Sequence, residues 1–203
     1  MVDVILDVLM YVRKAPSLQQ KKSARCQMNF KNTVVVSIIG KQNVGKTTLI
    51  RALIPRLKER GHKVGTFKHN IRKLEIDHQH KDTYKYFQSG ADTVAISSHD
   101  EIAIIKRVHI VPQIGEIIEK YFNDVSIVLV EGYREDSFPK IKIIELQEVP
   151  EMENGSSEKE LVLCKGGVNS SNFSESDINK TSDFIENIIS TNKYYPKKHL
   201  QNA

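Results

Sequence analysis

Residues 34–50 read Val34-Val35-Val36-Ser37-Ile38-Ile39-Gly40-Lys41-Gln42-Asn43-Val44-Gly45-Lys46-Thr47-Thr48-Leu49-Ile50, and the order of chemistry along this stretch decides the fold. Val34 to Ile39 form a nearly continuous β-branched run, the pattern of a parallel strand buried on both faces. After the loop, Leu49, Ile50, Leu53, Ile54 and Leu57 recur at helical spacing, and Gly61 supplies the stop expected just past a helix C-terminus. Pro55 falls inside that helix, where it removes one backbone donor and is expected to bend the last turns. Between strand and helix, Gly40 to Thr47 satisfies the phosphate-loop pattern G-x-x-x-x-G-K-S/T at every fixed position.

Each loop position has a physical reason. Glycine at 40 and 45 lets the backbone turn so that consecutive N–H groups, Asn43 and Val44 among them, converge on phosphate oxygens, while the start of the helix adds its positive dipole end. Lys46 is expected to reach the β and γ phosphates, and the Thr47 hydroxyl to coordinate a Mg²⁺ bridging the same two groups. Thr48 either caps the helix or touches the α-phosphate. A metal shared with phosphates calls for an acid nearby. Glu131 follows the apolar run Val125 to Val130, at the carboxyl end of a buried strand where ligands collect in open parallel sheets, and is assigned to Mg²⁺ or its water shell.

Lys63 to Lys68 reads as a second strand, so Lys68 and His69 face the same crevice. Lys68 there neutralises phosphate charge in a transition state or holds a second anionic ligand. Asp77, Lys81 and Asp82 lie in a polar stretch leading into a short helix over Asp82 to Ser89, and are candidates to reach metal-bound water, nucleotide or substrate. Thr93 to Ser97 and Ile102 to Ile105 read as strands, and Ile114, Ile117, Ile118 and Tyr121 as a helix. Ile141 to Leu146 and Leu161 to Cys164 give two further strands, separated by an acidic, turn-rich loop. Ser174 with Asp177 forms a capping box ahead of Ile178, Ile185, Ile188 and Ile189. Strands alternating with helices predict an α/β protein, a mostly parallel sheet flanked by helices of the P-loop nucleoside triphosphate hydrolase type.

The remainder bounds the reading. The 203 residues carry 30 Lys and Arg against 25 Asp and Glu, a net +5 that suits phosphorylated ligands and is too diffuse to announce nucleic-acid binding. Cys26 and Cys164 are far apart and form no metal or disulfide framework. His62, His69, His78 and His80 cluster in sequence, but without accompanying thiolates they are a weak signal for a soft-metal site. Val2 to Val12, broken by Asp3 and Asp7, reads as a short amphipathic helix rather than a membrane span or signal peptide. The expected organisation is an N-terminal segment and basic linker over 1–31, a nucleotide-binding domain over 32–190 and a polar tail over 191–203, in a cytoplasmic protein.

Beyond the loop, several segments resemble one family. Gly45 to Ile50, Leu53-Ile54-Pro55, Gly61, Gly65 through Lys68-His69, Asp77, Lys81-Asp82-Thr83-Tyr84, Gly90-Ala91, Val128 to Arg134 and Pro139-Lys140-Ile141 are together similar to the molybdopterin-guanine dinucleotide biosynthesis protein B (MobB) family. The resemblance runs from Val34 to about Leu146. It implies a P-loop protein, dimeric, that binds GTP and Mg²⁺, hydrolyses GTP weakly, and assists the guanylyltransferase that converts molybdopterin to molybdopterin guanine dinucleotide. The chain departs from the family pattern at Asn70, Ile71, Arg72 and His80, and it carries no Asn-Lys-x-Asp, so GTP over ATP rests on the resemblance alone. Two other classes compete with this reading: a nickel-inserting GTPase chaperone, and an ATP-dependent small-molecule kinase or ligase.

Overall fold

A computed structural model describes residues 6–13, 33–69, 81–134, 138–145, 159–165 and 173–191, the first of these segments by its backbone alone. The elements are β1 (Leu6–Arg13), β2 (Val34–Gly40), α1 (Lys46–Glu59), β3 (Val64–Lys68), α2 (Asp82–Gln88), β4 (Thr93–Ser97), β5 (Glu101–Arg107), α3 (Ile114–Tyr121), β6 (Ile127–Glu131), β7 (Lys140–Glu145), β8 (Glu160–Lys165) and α4 (Glu175–Thr191). They divide into two units, residues 1–27 with 71–116 and residues 28–70 with 117–203, and the last of these boundaries falls inside α3. Among the described residues no helix is long and apolar enough to cross a membrane.

The larger unit is built on a five-stranded sheet in the order β3-β6-β2-β7-β8. All four pairings are parallel. β2 therefore lies at the centre, between β6 and β7. Val34, Val35, Val36 and Ile38 on β2 and Ile127 to Val130 on β6 are wholly buried, which is why these strands read as unbroken apolar runs rather than alternating ones. Leu49, Ile50, Leu53 and Leu57 of α1 join Ile185 and Ile188 of α4 in the same core. Each such side chain contributes about 1.5–3 kcal/mol by leaving water. Two buried hydroxyls of α4 are satisfied locally: Thr181 donates to the Asp177 carbonyl at 2.6 Å and Ser182 to that of Ile178 at 2.8 Å, one turn back in the helix.

The ends of both helices follow the sequence. α1 runs through Pro55 and stops at Gly61, where the Gly61 N–H donates to the Lys58 carbonyl at 3.0 Å and the His62 N–H to that of Leu57 at 3.0 Å. α4 opens on the capping box: the Asp177 N–H donates to Ser174 Oγ at 3.1 Å, and the Ser174 N–H to Asp177 Oδ2 at 3.0 Å. Charges tie the two helices together. Arg60 Nη1 reaches Asp183 at 2.7 Å and Glu186 at 2.8 Å, His62 lies 3.2 Å from Glu186, and Arg56 pairs with Glu175. The hydrogen bond that Arg60 donates to Asp183 leads the raising of the Arg60 pKa above its ordinary value, with the charges of Glu186 and Asp183 adding to it.

The smaller unit corrects two expectations. Residues 6–13 form a strand, not part of an amphipathic helix: β1 pairs antiparallel with β5, from Leu6 opposite Arg107 to Arg13 opposite Glu101, with an irregularity in register between Asp7 and Met10. Leu6, Val8, Met10 and Val12 recur with period two, and Val8, Tyr11 and Val12 favour a pleated surface, so strand propensity outweighs the looser helical spacing. Nor do β4 and β5 extend the parallel sheet. They pair antiparallel with each other in a separate three-stranded sheet ordered β1-β5-β4. In the same unit the Arg107 guanidinium covers the Phe87 ring at 3.9 Å and donates to the carbonyls of Phe87 and Ala91, joining α2 to β5.

Gly65 in β3 marks a close approach, because a Cβ there would stand 2.5 Å from Cδ1 of Phe122 and 3.3 Å from Cγ2 of Val125. Gly65→Ala is expected to destabilise the fold by about 1–3 kcal/mol through overpacking. Thermal unfolding checks this, and pairing the change with Phe122→Leu should recover most of the loss. Additive losses in the double variant would show that the Phe122 contact is not the cause.

Candidate functional site

Because every strand of the larger unit points the same way, the carboxyl ends of β2, β3 and β6 meet at one edge of the sheet. The register is explicit: Glu131 lies opposite Ile38 on one side and Lys68 on the other. Gly40 ends β2 in a space too small for any side chain, since a Cβ would lie 2.7 Å from the Ile143 carbonyl oxygen and 2.8 Å from Cγ1 of Val44. Two residues then take left-handed backbone, Asn43 at φ 61° and Gly45 at φ 102°. Asparagine tolerates that region better than other side chains, and glycine enters it freely. Gly45 caps α1 without a side-chain bond, and the first turn of α1 holds no acid, so the positive end of the helix faces the loop uncompensated by its own residues.

Lys46 folds back over the loop, its Nζ donating to the Gly40 carbonyl at 3.2 Å and to the Lys41 carbonyl. On the next residue, Thr47 Oγ1 lies 3.2 Å and 3.1 Å from the two carboxylate oxygens of Glu131. Lys68 Nζ stands 3.6 Å from the same carboxylate; its side chain is 60% exposed against 15% for Glu131. Thr47, Glu131 and Lys68 thus come together, as the sequence reading anticipates, with Lys46 one residue away on the loop. Thr48 is half-buried in the first turn of α1. Asp77 lies outside the described residues, as do His78 and His80. Asp82 opens α2 in the smaller unit, where it pairs with Lys85 at 3.0 Å.

The backbone around Glu131 is held from both sides. The His69 N–H donates to the Glu131 carbonyl at 3.0 Å, and the Gly132 N–H to that of Ile38 at 3.0 Å. Gly132 has φ 88°, which swings the chain out of the sheet immediately after the acid. Below the turn the buried Ser37 hydroxyl donates to the Tyr133 carbonyl. The Tyr133 ring meets His69 edge-on at 5.2 Å and Phe138 at 5.6 Å. Sequence reasoning missed this aromatic support, although the Glu-Gly-Tyr order was a usable signal for it. It also missed Phe173 and Lys165, whose side chains approach Gly45 from distant points in the sequence.

The donor set fits Mg²⁺. Among the described residues no three His, Cys, Asp or Glu side chains gather to hold a metal unaided. A hydroxyl and a carboxylate within hydrogen-bond distance beside a phosphate loop are the hard oxygen ligands that Mg²⁺ takes when phosphates and water complete its shell.

A family model described as molybdopterin guanine dinucleotide synthesis protein B (MobB) matches residues 35–164. The molybdopterin-guanine dinucleotide biosynthesis adapter protein of Haemophilus influenzae is 28% identical over 108 residues, 53% of this chain and 61% of that protein. The probable adapter protein of Bacillus subtilis is 30% identical over 117 residues, 56% of this chain and 66% of that one. The chain thus spans under two thirds of the length of these relatives. Among solved structures, a molybdopterin-guanine biosynthesis protein B (mobB) superposes with TM-score 0.52 at 24% identity, covering 77% of this chain and 99% of that one. Bacillus subtilis MobB does so with TM-score 0.56 at 20% identity, covering 74% and 97%. These likenesses establish a P-loop type α/β fold, a parallel sheet flanked by helices. The family match spans both the phosphate loop and the strand ending in Glu131, and the chain belongs to the molybdopterin guanine dinucleotide synthesis protein B (MobB) family.

Proposed function

We propose that this protein is a GTP-binding adapter of molybdenum cofactor biosynthesis, which captures GTP with Mg²⁺ and presents it to the guanylyltransferase that converts molybdopterin to molybdopterin guanine dinucleotide. The observation that carries the reading is the Thr47–Glu131 contact at the mouth of the Gly40–Thr47 loop, an oxygen pair of the right chemistry in the right place for a metal shared with phosphates. The relatives named as adapters in that pathway supply the pathway.

On this reading the backbone N–H groups of residues 41–48, Asn43, Val44 and Gly45 included, hold the polyphosphate, and Thr48 lies on the α-phosphate side. Lys46 exchanges the carbonyls of Gly40 and Lys41 for phosphate oxygens, an exchange that replaces neutral acceptors with charged ones and is favourable for that reason. Thr47 and Glu131 would hold Mg²⁺, which would supply positive charge against the polyphosphate. Lys68 adds a second cation at the same end. Hydrolysis on this reading is weak: water attacks the γ-phosphorus in line as its bond to the β–γ bridging oxygen breaks, GDP leaves with that oxygen and inorganic phosphate carries off the water's oxygen, with Lys46 and Lys68 stabilising the charge that spreads over the phosphate oxygens. On this reading the protein works in the cytoplasm as a homodimer, and its partner is molybdopterin or the guanylyltransferase that acts on it.

Calorimetric titration with GTP, ATP and molybdopterin tests the reading. GTP binding dependent on Mg²⁺ supports it, while equal affinity for ATP and GTP without pterin binding would turn it toward a kinase or ligase. Lys46→Ala is expected to weaken triphosphate binding by roughly a hundredfold with the unfolding midpoint unchanged. Retained affinity would contradict the role given to Lys46. Glu131→Gln should reduce the gain in affinity that Mg²⁺ brings, more than it reduces binding measured in a chelator. If both fall equally, the carboxylate supports the loop and does not hold the metal.

A further inference from the structure

Lys165 and Phe173 approach the phosphate loop from a direction the site described so far does not use. A Cβ built on Gly45 would lie 3.4 Å from Cε2 and 3.6 Å from Cζ of Phe173, and 3.8 Å from Nζ of Lys165. Lys165 is the last residue of β8, and Phe173 stands just before the Ser174 capping box of α4. The Phe173 ring is half-buried and packs against the core that contains Val44 and Leu49, which fixes its place beside the loop.

The sheet order gives these residues their meaning. Along β3-β6-β2-β7-β8, Lys68 and Glu131 stand on one side of the loop-bearing strand β2, and Lys165 ends the outermost strand on the other. A nucleotide whose metal-bound, terminal phosphates lie toward Thr47 and Glu131 therefore directs its opposite end toward β8 and the start of α4. The charges agree. An ammonium near the positive end of α1, with Lys46 adjacent, is unfavourable by itself and is relieved by an anion on the loop. Among the described residues Lys165 has no ion-pair partner.

We propose that Lys165 and Phe173 form the nucleoside subsite, Phe173 offering its ring to the face of a purine and Lys165 neutralising the phosphate nearest the sugar. This rests on the reading that the loop holds a nucleotide. An aromatic ring grips a base by its face, which all bases present, so the pair confers affinity for a nucleoside without choosing guanine over adenine.

The test uses the full chain with Mg²⁺ and three probes: non-hydrolysable analogues of GTP and ATP, and inorganic tripolyphosphate, which has no nucleoside. Phe173→Leu keeps an apolar side chain against the core but removes the ring. It is expected to weaken both nucleotides by about tenfold, within the range such stacking contributes, and to leave tripolyphosphate unchanged. Lys165→Met should weaken nucleotides and tripolyphosphate alike, because tripolyphosphate also places a phosphate beside this ammonium, and loss of neither would overturn the role given to Lys165. Because the chain has no tryptophan, Phe173→Trp adds a single reporter whose fluorescence should change with nucleotide and not with tripolyphosphate. Equal losses for nucleotide and tripolyphosphate in Phe173→Leu would make Phe173 a prop for the loop and overturn the proposal. So would unchanged nucleotide affinity in Phe173→Leu, or indole fluorescence in Phe173→Trp that is indifferent to nucleotide. Wild-type protein that binds tripolyphosphate as tightly as nucleotide sinks the subsite alone, whereas wild-type protein that binds none of the three sinks the nucleotide reading itself.

Discussion

The parallel register between β2 and β6 is the constraint on which the site depends. Ile38 opposite Glu131 puts the acid level with the end of β2, and the loop that follows carries Thr47 back to within 3.1 Å of it. Successive strand residues face opposite sides, so a slip of one residue would turn Glu131 to the other face of the sheet and bring Val130 or Gly132 to its place. The slip is resisted along the whole of both strands, because Val34, Val36, Ile127 and Leu129 are buried in the core that α1 and α4 cover. Burial of those apolar side chains is therefore what sets an oxygen–oxygen distance at the sheet's edge. Core packing and site geometry are one problem here.

Part of this was legible because it is local. A β-branched run, two glycines at fixed spacing, Lys-Thr and a helical repeat are all contained within residues 34–57, and each constrains the backbone through its own residues. The Ser174–Asp177 capping box is likewise a reciprocal bond between neighbours. Glu131 was legible for a different reason, since an acid that ends a wholly apolar strand must emerge at the sheet's edge. What stayed hidden is either long-range or degenerate. Nothing in the order of residues says that Phe173 will lie beside Gly45, or that the Tyr133 ring will meet His69 edge-on. The N-terminal run misleads because every residue from Val8 to Val12 is apolar or aromatic, so helical and alternating templates both fit. Pairing with β5 decides it. β4 and β5 were recognisable as strands, but membership of a separate antiparallel sheet is a property of pairing, which composition does not carry.

Charge around the loop is arranged at some cost to the free protein. Lys46, Lys68 and Lys165 converge near the positive end of α1, and Glu131 is the acid that faces Thr47 there. In the structure that cost is lowered by borrowed acceptors: the carbonyls of Gly40 and Lys41 take the Lys46 ammonium, and Glu131 takes Lys68. Each is a neutral or shared partner that a more strongly charged one can replace. Functional sites commonly carry unfavourable arrangements of this kind, stabilised by the surrounding fold rather than from within.

A glutamate at the end of β6, rather than the aspartate that holds Mg²⁺ in many P-loop nucleoside triphosphate hydrolases, fits the same logic. One extra methylene lets the carboxylate reach Thr47, but it adds a torsion that must be fixed, and a longer side chain loses more freedom on ordering. The surroundings restrain it from three directions: the backbone through the His69 and Gly132 N–H groups, one carboxylate oxygen through Lys68, and both through the Thr47 hydroxyl. The Lys68 contact is the least secure of these, because that side chain is largely exposed and its pair with Glu131 is screened by solvent. On the proposed reading a cation bound by Thr47 and Glu131 must share that carboxylate with Lys68, and the repulsion between the two falls only when phosphate oxygens are present to take the ammonium. Metal and polyphosphate are then held more tightly together than either is alone. That coupling suits a protein whose proposed task is to hold a nucleotide until a partner uses it.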